Sequence, residues 1–552
     1  MHVLSYTPWG ADGVIVRVEA DIRRGIPGID ISGLAEGAVR EARERVRASF
    51  RNSGFNFPPD RVLINLAPAG LRKEGASLDL PIAISVMAAA GMAPVPGNLM
   101  VLGELELSGR VRPVRGVLAA VAAGMREGIT EFIVPLENSH EAAVLAGSNF
   151  FSAATLAEAV HALLVRAETG SLPENGADLP SADSPCAGEK NIGGEGVCSK
   201  SSEGGTGDFS EVRAQGRYKR ALEIAAAGGH NLLVFGPPGS GKTMLARRFP
   251  SIIPPLEPAE AVEVTRLHSL AGQIRAGSAP GSFGGEGSGQ SYHTGGLIAQ
   301  PPFRSPHHSA STEGVLGGGR IVRPGEITLA HFGTLFLDEA PEFRKPVLQS
   351  LREPLEDRVI TIVRAEGPLR LPADFQLIMA ANSCPCGRLG TVINNSEDSG
   401  CFCTADEIRR HWRKLGSALL DRVGLRVPLR APGVLAPGGR EEECSAVIAR
   451  RVLAAVETQR ERFRGQAVRR NERMSPAQIE KYCPLSERAA NAFGVAAEKL
   501  CLSGRACHGI LKIARTIADL EGKAAIDSAH ILEAVQHRRF GDDPYDIISA
   551  PE

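Results

Sequence analysis

The sequence predicts an α/β chain, in which a doubly wound parallel sheet with a helical lid follows a separate α+β domain. Three observations predict it. GPPGSGKT, Gly236–Thr243, lies between the apolar run LLVF and the helix-forming run MLARRF, the strand–loop–helix context in which a glycine-rich loop cradles phosphate. A second apolar run, Thr334–Leu337, delivers Asp338 and Glu339 about 95 residues further on, as the metal-and-water half of a nucleotide site requires. From Gly439 onward the pattern is helical, with no convincing strand.

The 552 residues exceed one ordinary domain. Lys and Arg number 62 and Asp and Glu 63, for a net charge of −1. That balance excludes a chain that coats nucleic acid by bulk charge, though it permits a local basic groove or pore. MHVLSYTPWG lacks a charged segment followed by an apolar one, so no signal peptide is expected. The longest apolar run, Leu80–Ala93, contains Pro81 and Ser85 and falls short of the roughly 20 residues that span a bilayer. A cytoplasmic protein with no membrane contact is expected. Ten cysteines are too sparse for a disulfide scaffold.

Residues 1–166 read as the α+β domain. Val14–Val18 and Val62–Leu66 are β-branched strands. Glu36–Asn52 carries apolar residues at helical intervals, and Ser77–Ala90 reads as a more buried helix. Gly103–Pro113 has a Ser-Gly turn between two short strands, with a helix over Gly116–Glu127. Residues 167–209 are rich in Gly, Ser, Glu and Pro, bury too little to offset ordering, and read as a flexible linker. Gly277–Gly289 reads as a mobile loop for the same reason. Residues 210–430 form the nucleotide-binding core, opening on a helix over Val212–Ala227, and 431–552 the helical lid and C-terminal region.

The loop chemistry demands these residue types. Gly236, Pro237, Pro238, Gly239, Ser240 and Gly241 form the turn around the phosphates, in which Gly239 and Gly241 let the backbone approach and point its N–H groups at phosphate oxygens, and the helix N-terminus adds favourable partial charge. Lys242 bridges the β- and γ-phosphates of ATP, and Thr243 ligates Mg²⁺. Asp338 holds the Mg²⁺ shell, while Glu339 orients and deprotonates the attacking water. Phe375–Ala381 is another apolar strand that ends at Asn382, where a polar side chain can position that water. Leu419–Arg422 places Arg422 at a domain edge, and Arg505 opens a helix over Arg505–Leu520. By residue chemistry alone, a surface arginine paired with Asp421 is the commoner case for Arg422.

Cys384-Pro-Cys386 and Cys401-Phe-Cys403 are two C-x-C pairs about a polar loop, a set that closes a tetrahedral Zn²⁺ site. The alternative is a group of unligated thiols. Cys444, Cys483, Cys501 and Cys507 sit at scattered helical positions and read as packing residues. GGGRIVRPG, Gly317–Gly325, reads as a hairpin bearing Arg320 and Arg323, and Val359–Arg370 as a second hairpin with Arg364 near its tip. Such arginines contact DNA phosphates without base specificity; solvated loop charges are the plainer reading. His307–His308 has no evident role, and the arginines of Arg450–Arg473 read as a solvated, salt-bridged face.

PFRSPHHSAS (Pro302–Ser311), GGGRIVRPGEITLAHFGTLFLDEAPEF (Gly317–Phe343), LREPLEDRVITIVRA (Leu351–Ala365), NSCPCG (Asn382–Gly387) and SGRACHGILKIARTIADLEG (Ser503–Gly522) together resemble the magnesium-chelatase-related AAA+ proteins of the ComM (YifB) type. The match covers the chain outside its two glycine-rich patches. The resemblance implies a homo-hexameric ring motor that hydrolyses ATP, binds single-stranded or branched DNA and drives branch migration during natural transformation. It also implies that Asn382 is the sensor asparagine, Arg422 an arginine finger and Arg505 the lid sensor. Pro301 departs from the family, which tends to carry a basic residue there. Residues 1–166 resemble the Lon-protease-like (ribosomal S5 domain 2-like) domain of the same family. Lys73–Ser77 resembles the segment that carries the Lon nucleophile, but the partner lysine position falls at Leu118, so a catalytically inactive domain is expected. A magnesium-chelatase-like chaperone that remodels a protein partner is the rival reading, and a scaffold that uses ATP only to assemble is a third.

Overall fold

The structure, a computed structural model, describes residues 2–33, 37–71, 73, 77–147, 149–175, 207–213, 215–274, 297–319, 322–364, 367–389, 401–429 and 442–538. Gly277–Gly289, most of the expected linker and Arg320 lie outside them.

The first unit is built on a seven-stranded mixed sheet. Its order is Gly28–Ser32, Arg61–Ala67, Val14–Arg23, His2–Thr7, Leu99–Val101, Glu131–Pro135 and Phe150–Ala153. Every strand and helix read from the sequence of this unit is present, including the short antiparallel pair Glu104–Leu105 and Val111–Arg112. The helix Asp79–Ala89 is buried along nearly its whole length. Its one charged residue is satisfied: Arg45 donates to Asp79 through Nε at 2.6 Å and Nη2 at 3.0 Å, a bidentate pair suited to a buried carboxylate. Leu118 is fully buried. Lys73 is buried too, its ammonium donating to the carbonyls of Gly33 and Pro68.

The expected linker limits need correction at both ends. The last helix of the first unit, Leu156–Thr169, runs past residue 166, and beyond its end Asn175 still bonds to the strand Phe150–Ala153. Asn175 Oδ1 accepts from Ser152 N at 2.7 Å, and its Nδ2 donates to Phe150 O at 2.7 Å. At the far end Phe209 is fully buried in the second unit, and Asp208 Oδ2 accepts from Ser445 N at 3.0 Å. Composition marked these residues as linker because it does not register a single side chain that finds a partner.

The second unit has a five-stranded parallel sheet in the order Phe303–Arg304, Thr334–Leu337, Gln376–Ala381, Leu232–Phe235, Leu425–Pro428. A parallel sheet covered on both faces wants apolar residues at every position, and the alternation of strand side chains sorts them into two cores. Leu232, Val234, Phe336, Ile378 and Ala380 face one core, shared with Val452, Ile510, Ile513 and Ile517 of the helical region. Leu233, Phe235, Leu335, Leu337, Leu377 and Met379 face the other, shared with Cys384 and Trp412. The lid therefore packs on one face and the cysteine segment on the opposite one. Among the described residues after Glu442 there are helices and no strand, as expected.

The two units meet through the helices Val117–Arg126 and Pro258–Leu270. Leu270 joins the core of Tyr6 and Val117, Arg266 pairs with Asp12 at 2.8 Å, and Ser269 Oγ donates to the buried Glu141 at 2.5 Å.

Candidate nucleotide site

Three adjacent parallel strands, Leu232–Phe235, Thr334–Leu337 and Gln376–Ala381, end together and continue into Gly236, Asp338 and Asn382. This carboxyl edge is where an open parallel sheet binds ligands. A cleft of about 360 Å³ opens there, walled by Pro238–Met244, Asp338, Glu339 and Ala380–Asn382. Gly239 and Gly241 adopt φ of 75° and 85°, left-handed backbone that a residue with a Cβ resists. Those turns aim the loop at the start of the helix Lys242–Arg248.

Lys242 Nζ donates to the carbonyls of Gly236 and Pro237, each at 2.8 Å. Burial, opposed by the Asp338 and Glu339 carboxylates, brings its pKa down to about 8. Thr243 Oγ1 donates to Asp338 Oδ2 at 2.9 Å. Two cis ligands of an octahedral Mg²⁺ with metal–oxygen distances of ~2.1 Å lie about 3.0 Å apart, so the pair fits the ion without rearrangement. Glu339 has φ of 50°, an uncommon conformation for a non-glycine residue and one that gathers at functional sites. Its carboxylate is 56% exposed and lies 3.6 Å from His308 Nδ1. The paired histidines, without a role in the sequence, thus lead from the edge strand Phe303–Arg304 to the acidic residue of the cleft. Their sequence signal was only their position between a strand and a helix.

Arg422, read as an arginine finger for a neighbouring subunit, and Arg505, read as the lid sensor, stand apart from this cleft. They meet each other at Glu356, whose Oε1 takes Arg422 Nη2 at 2.7 Å and Arg505 Nη2 at 2.6 Å. These two guanidiniums hold the Glu356 carboxyl below the usual range, Arg422 most strongly. Arg505, read as the lid sensor, stands away from its own chain's cleft because the lid packs on a sheet face, which carries it to the edge occupied by Arg422. Asp421, the expected partner of Arg422, lies 3.5 Å from Arg505 and 3.0 Å from Arg538 instead. Nothing in the sequence signalled Glu356.

The cysteine segment follows Asn382 and braces the same edge. Trp412 Nε1 donates to Ser383 O at 3.0 Å, and His411 Nε2 hydrogen-bonds Asn382 O at 3.1 Å. A Cβ on Gly387 would come within 3.1 Å of Pro238 in the phosphate loop. The four sulfurs of Cys384, Cys386, Cys401 and Cys403 all lie within 4.8 Å of one another, with neighbours at 3.3, 3.5 and 3.6 Å. A tetrahedral Zn²⁺ with Zn–S of ~2.3 Å sets its sulfurs about 3.8 Å apart, so the cluster fits that ion after a small expansion. Burial pushes the Cys384 thiol up to about 11. At Cys386 burial is outweighed by the N–H of Arg388 and the neighbouring thiols, which bring it down to about 6. Of the other cysteines, Cys483 packs in the core as expected, whereas Cys501 is exposed.

The two expected hairpins form, as Gly317–Gly318 with Arg323–Pro324 and Val359–Arg364 with Gly367–Pro372. They lie side by side, with Arg364 donating to the carbonyl of Gly319. Arg323 is exposed, and Val363 projects 80% exposed at the second tip.

A glycine-rich phosphate-loop motif, the Thr243–Asp338 pair and Glu339 at the ends of neighbouring parallel strands, with a helical lid, are the arrangement of a P-loop ATPase of the AAA+ class. Residues 208–281 and 287–434 match the family described as magnesium chelatase, subunit ChlI, and residues 18–138 and 442–538 match its further ChlI and C-terminal descriptions. The chain is 37% identical to the competence protein ComM of Haemophilus influenzae, over 97% of each chain. It is 37% identical to the YifB protein of Escherichia coli, over 96% of this chain and 95% of that one. It belongs to the magnesium-chelatase-related AAA+ family that contains ComM and YifB. Its N-terminal region is also 30% identical, over 141 residues, to part of the Lon protease of Clostridioides difficile.

Proposed function

We propose that the chain is the subunit of a homo-hexameric ATPase that remodels DNA, with a part in competence and branch migration. The observation that carries the ring is the split site. Lys242, Thr243, Asp338, Glu339 and Asn382 converge on the cleft, while Arg422 and Arg505 are held on another edge by Glu356. Each nucleotide then needs a neighbour's arginines to stabilise transition-state charge. Asn382 positions the water, Thr243 and Asp338 hold Mg²⁺, and Glu339 takes the proton. The ion supplies charge neutralisation at the γ-phosphoryl group. The paired hairpins with Arg323 and Arg364 form the DNA grip together with Arg320. The first unit serves as a docking body without peptidase chemistry, and the protein acts in the cytoplasm. No helix among the described residues is long and apolar enough to cross a membrane.

The test is steady-state ATPase rate with and without single-stranded and four-way-junction DNA, at low and moderate salt. Stimulation that weakens with salt is expected. A basal rate untouched by either DNA favours the remodelling of a protein partner.

Two further outcomes are expected. ATP affinity falls as pH rises through about 8, because the neutral amine of Lys242 cannot pair with phosphate. Over the next pH unit the loss approaches about tenfold, with proton uptake on binding measurable by calorimetry in buffers of different ionisation enthalpy. A pH-independent affinity between 7 and 9 excludes this account. We also infer that Cys384, Cys386, Cys401 and Cys403 hold Zn²⁺, at about one ion per chain by metal analysis. Cys401→Ser is expected to release it, and metal-free fresh protein overturns the assignment.

A further inference from the structure

A second cavity, of about 320 Å³, lies at the opposite end of the nucleotide-binding sheet, where the core meets the lid. Its floor is formed by the entries to the strands that carry the nucleotide site, at Thr334 and Gln376. From the core side come Arg358 and His331, and from the lid side Arg469, Arg470 and Arg473.

The charges in this cavity divide into paired and unpaired. Arg469 is paired with Glu260 and lies over the Phe332 ring, 5.4 Å from its centroid. Arg473 is paired with Asp374. Among the described residues Arg470 pairs directly with no carboxylate, though Glu260 and Glu257 lie near enough to act on its charge, and it makes one long contact, 3.4 Å from Nη1 to the carbonyl of Ala227. Arg358 reaches Asp374 only at 4.0 Å. Burial and then the Arg460 guanidinium bring Arg470 down to about 10, and burial and then Arg473 lower Arg358. His331 is 4% exposed. Its Nδ1 accepts from Asp374 N at 3.0 Å, which puts the proton of the neutral ring on Nε2. That Nε2 lies 3.4 Å from Glu263 but makes no good hydrogen bond. Two under-paired guanidiniums therefore share one cavity, with the His331 ring turned toward Glu263.

Backbone strain supplies an independent observation. Among the described residues four non-glycine residues have positive φ: Phe332 at 54°, Glu339 at 50°, Arg358 at 59° and Cys501 at 46°. One is the acidic residue of the nucleotide cleft, and two of the others line this second cavity. Such conformations gather where a site is built.

We propose that this cavity is a second anion site, which binds a phosphate-bearing ligand between Arg358 of the core and Arg470 of the lid. Guanidinium forks match phosphate oxygens in geometry and charge. Glu260 and Asp374 are already engaged by Arg469 and Arg473, and Glu263 lies beside His331, so Arg358 and Arg470 are left to answer to an anion from outside. Binding there ties the lid to the sheet at the end remote from ATP.

The test uses the full chain carrying Lys242→Ala, which silences the phosphate loop, and titrates pyrophosphate by calorimetry at constant ionic strength. Saturable binding is expected, weakened about tenfold or more by Arg470→Gln or Arg358→Gln, the loss of one charge-assisted contact. Arg470→Lys, which keeps the charge, is expected to bind between the two and to melt as the parent does. Competition by a single-stranded oligonucleotide, lost in the same variants, assigns the ligand as backbone phosphate. Binding of pyrophosphate without such competition assigns a free phosphate compound. No binding in the Lys242→Ala chain, or equal binding in the Arg358→Gln, Arg470→Gln double variant, overturns the proposal.

Discussion

Glu339→Gln is expected to lower ATP turnover between about 100-fold and 10,000-fold, the range a lost general base commands, while ATP affinity holds. The substitution keeps the size and the left-handed backbone position of Glu339, with φ of 50°. It leaves the contacts of Lys242, and the Thr243–Asp338 pair at 2.9 Å, untouched. Only the capacity to accept a proton from water is removed. Single-turnover hydrolysis, read beside equilibrium binding of a fluorescent ATP analogue, separates the two effects. A variant that turns over at the parent rate would show that another group takes the proton. One that fails to bind ATP would show that Glu339 holds the loop together.

Arg422→Ala is expected to cost still more, about 1,000-fold to 100,000-fold, if Arg422 completes the neighbour's site as an arginine finger. Its guanidinium is anchored by Glu356 at 2.7 Å and stands outside its own cleft. Mixing decides the geometry. Arg422→Ala subunits and Lys242→Ala subunits are each inactive alone, yet in a randomly mixed ring about a quarter of the head-to-tail interfaces join an intact loop to an intact arginine. Activity should reappear in the mixture. A mixture that stays dead places Arg422 in its own subunit's chemistry, and the split-site reading falls with it.

Much of the nucleotide site was legible in the chain because its parts are local. A glycine-rich loop must follow a buried strand and open a helix, and the acidic pair must close another apolar strand. LLVF and TLFL are short apolar runs whose neighbours announce their roles. The helices and strands of the first unit were legible for the same reason, since Val62–Leu66 and Glu36–Asn52 carry their period in consecutive residues. The four cysteines were legible as a cluster because residue type and spacing are themselves sequence. Position in space was not. Glu356 gave no signal, since it matters only through two arginines distant in the chain. His308 gave none, because its relation to Glu339 exists only once the edge strand lies beside Thr334–Leu337.

The sequence alone determined the chemistry on offer: the loop, the acidic pair and the thiol cluster, each encoded within a few residues. Only the tertiary structure decided how distant groups are shared out. The lid packs on one sheet face and carries Arg505 to Arg422 and away from its own nucleotide cleft. The approach of lid to core likewise gathers Arg358 and Arg470 around one cavity. Local patterns are set by backbone period and turn chemistry, whereas the pairing of charges far apart in the chain is settled by which faces bury against each other.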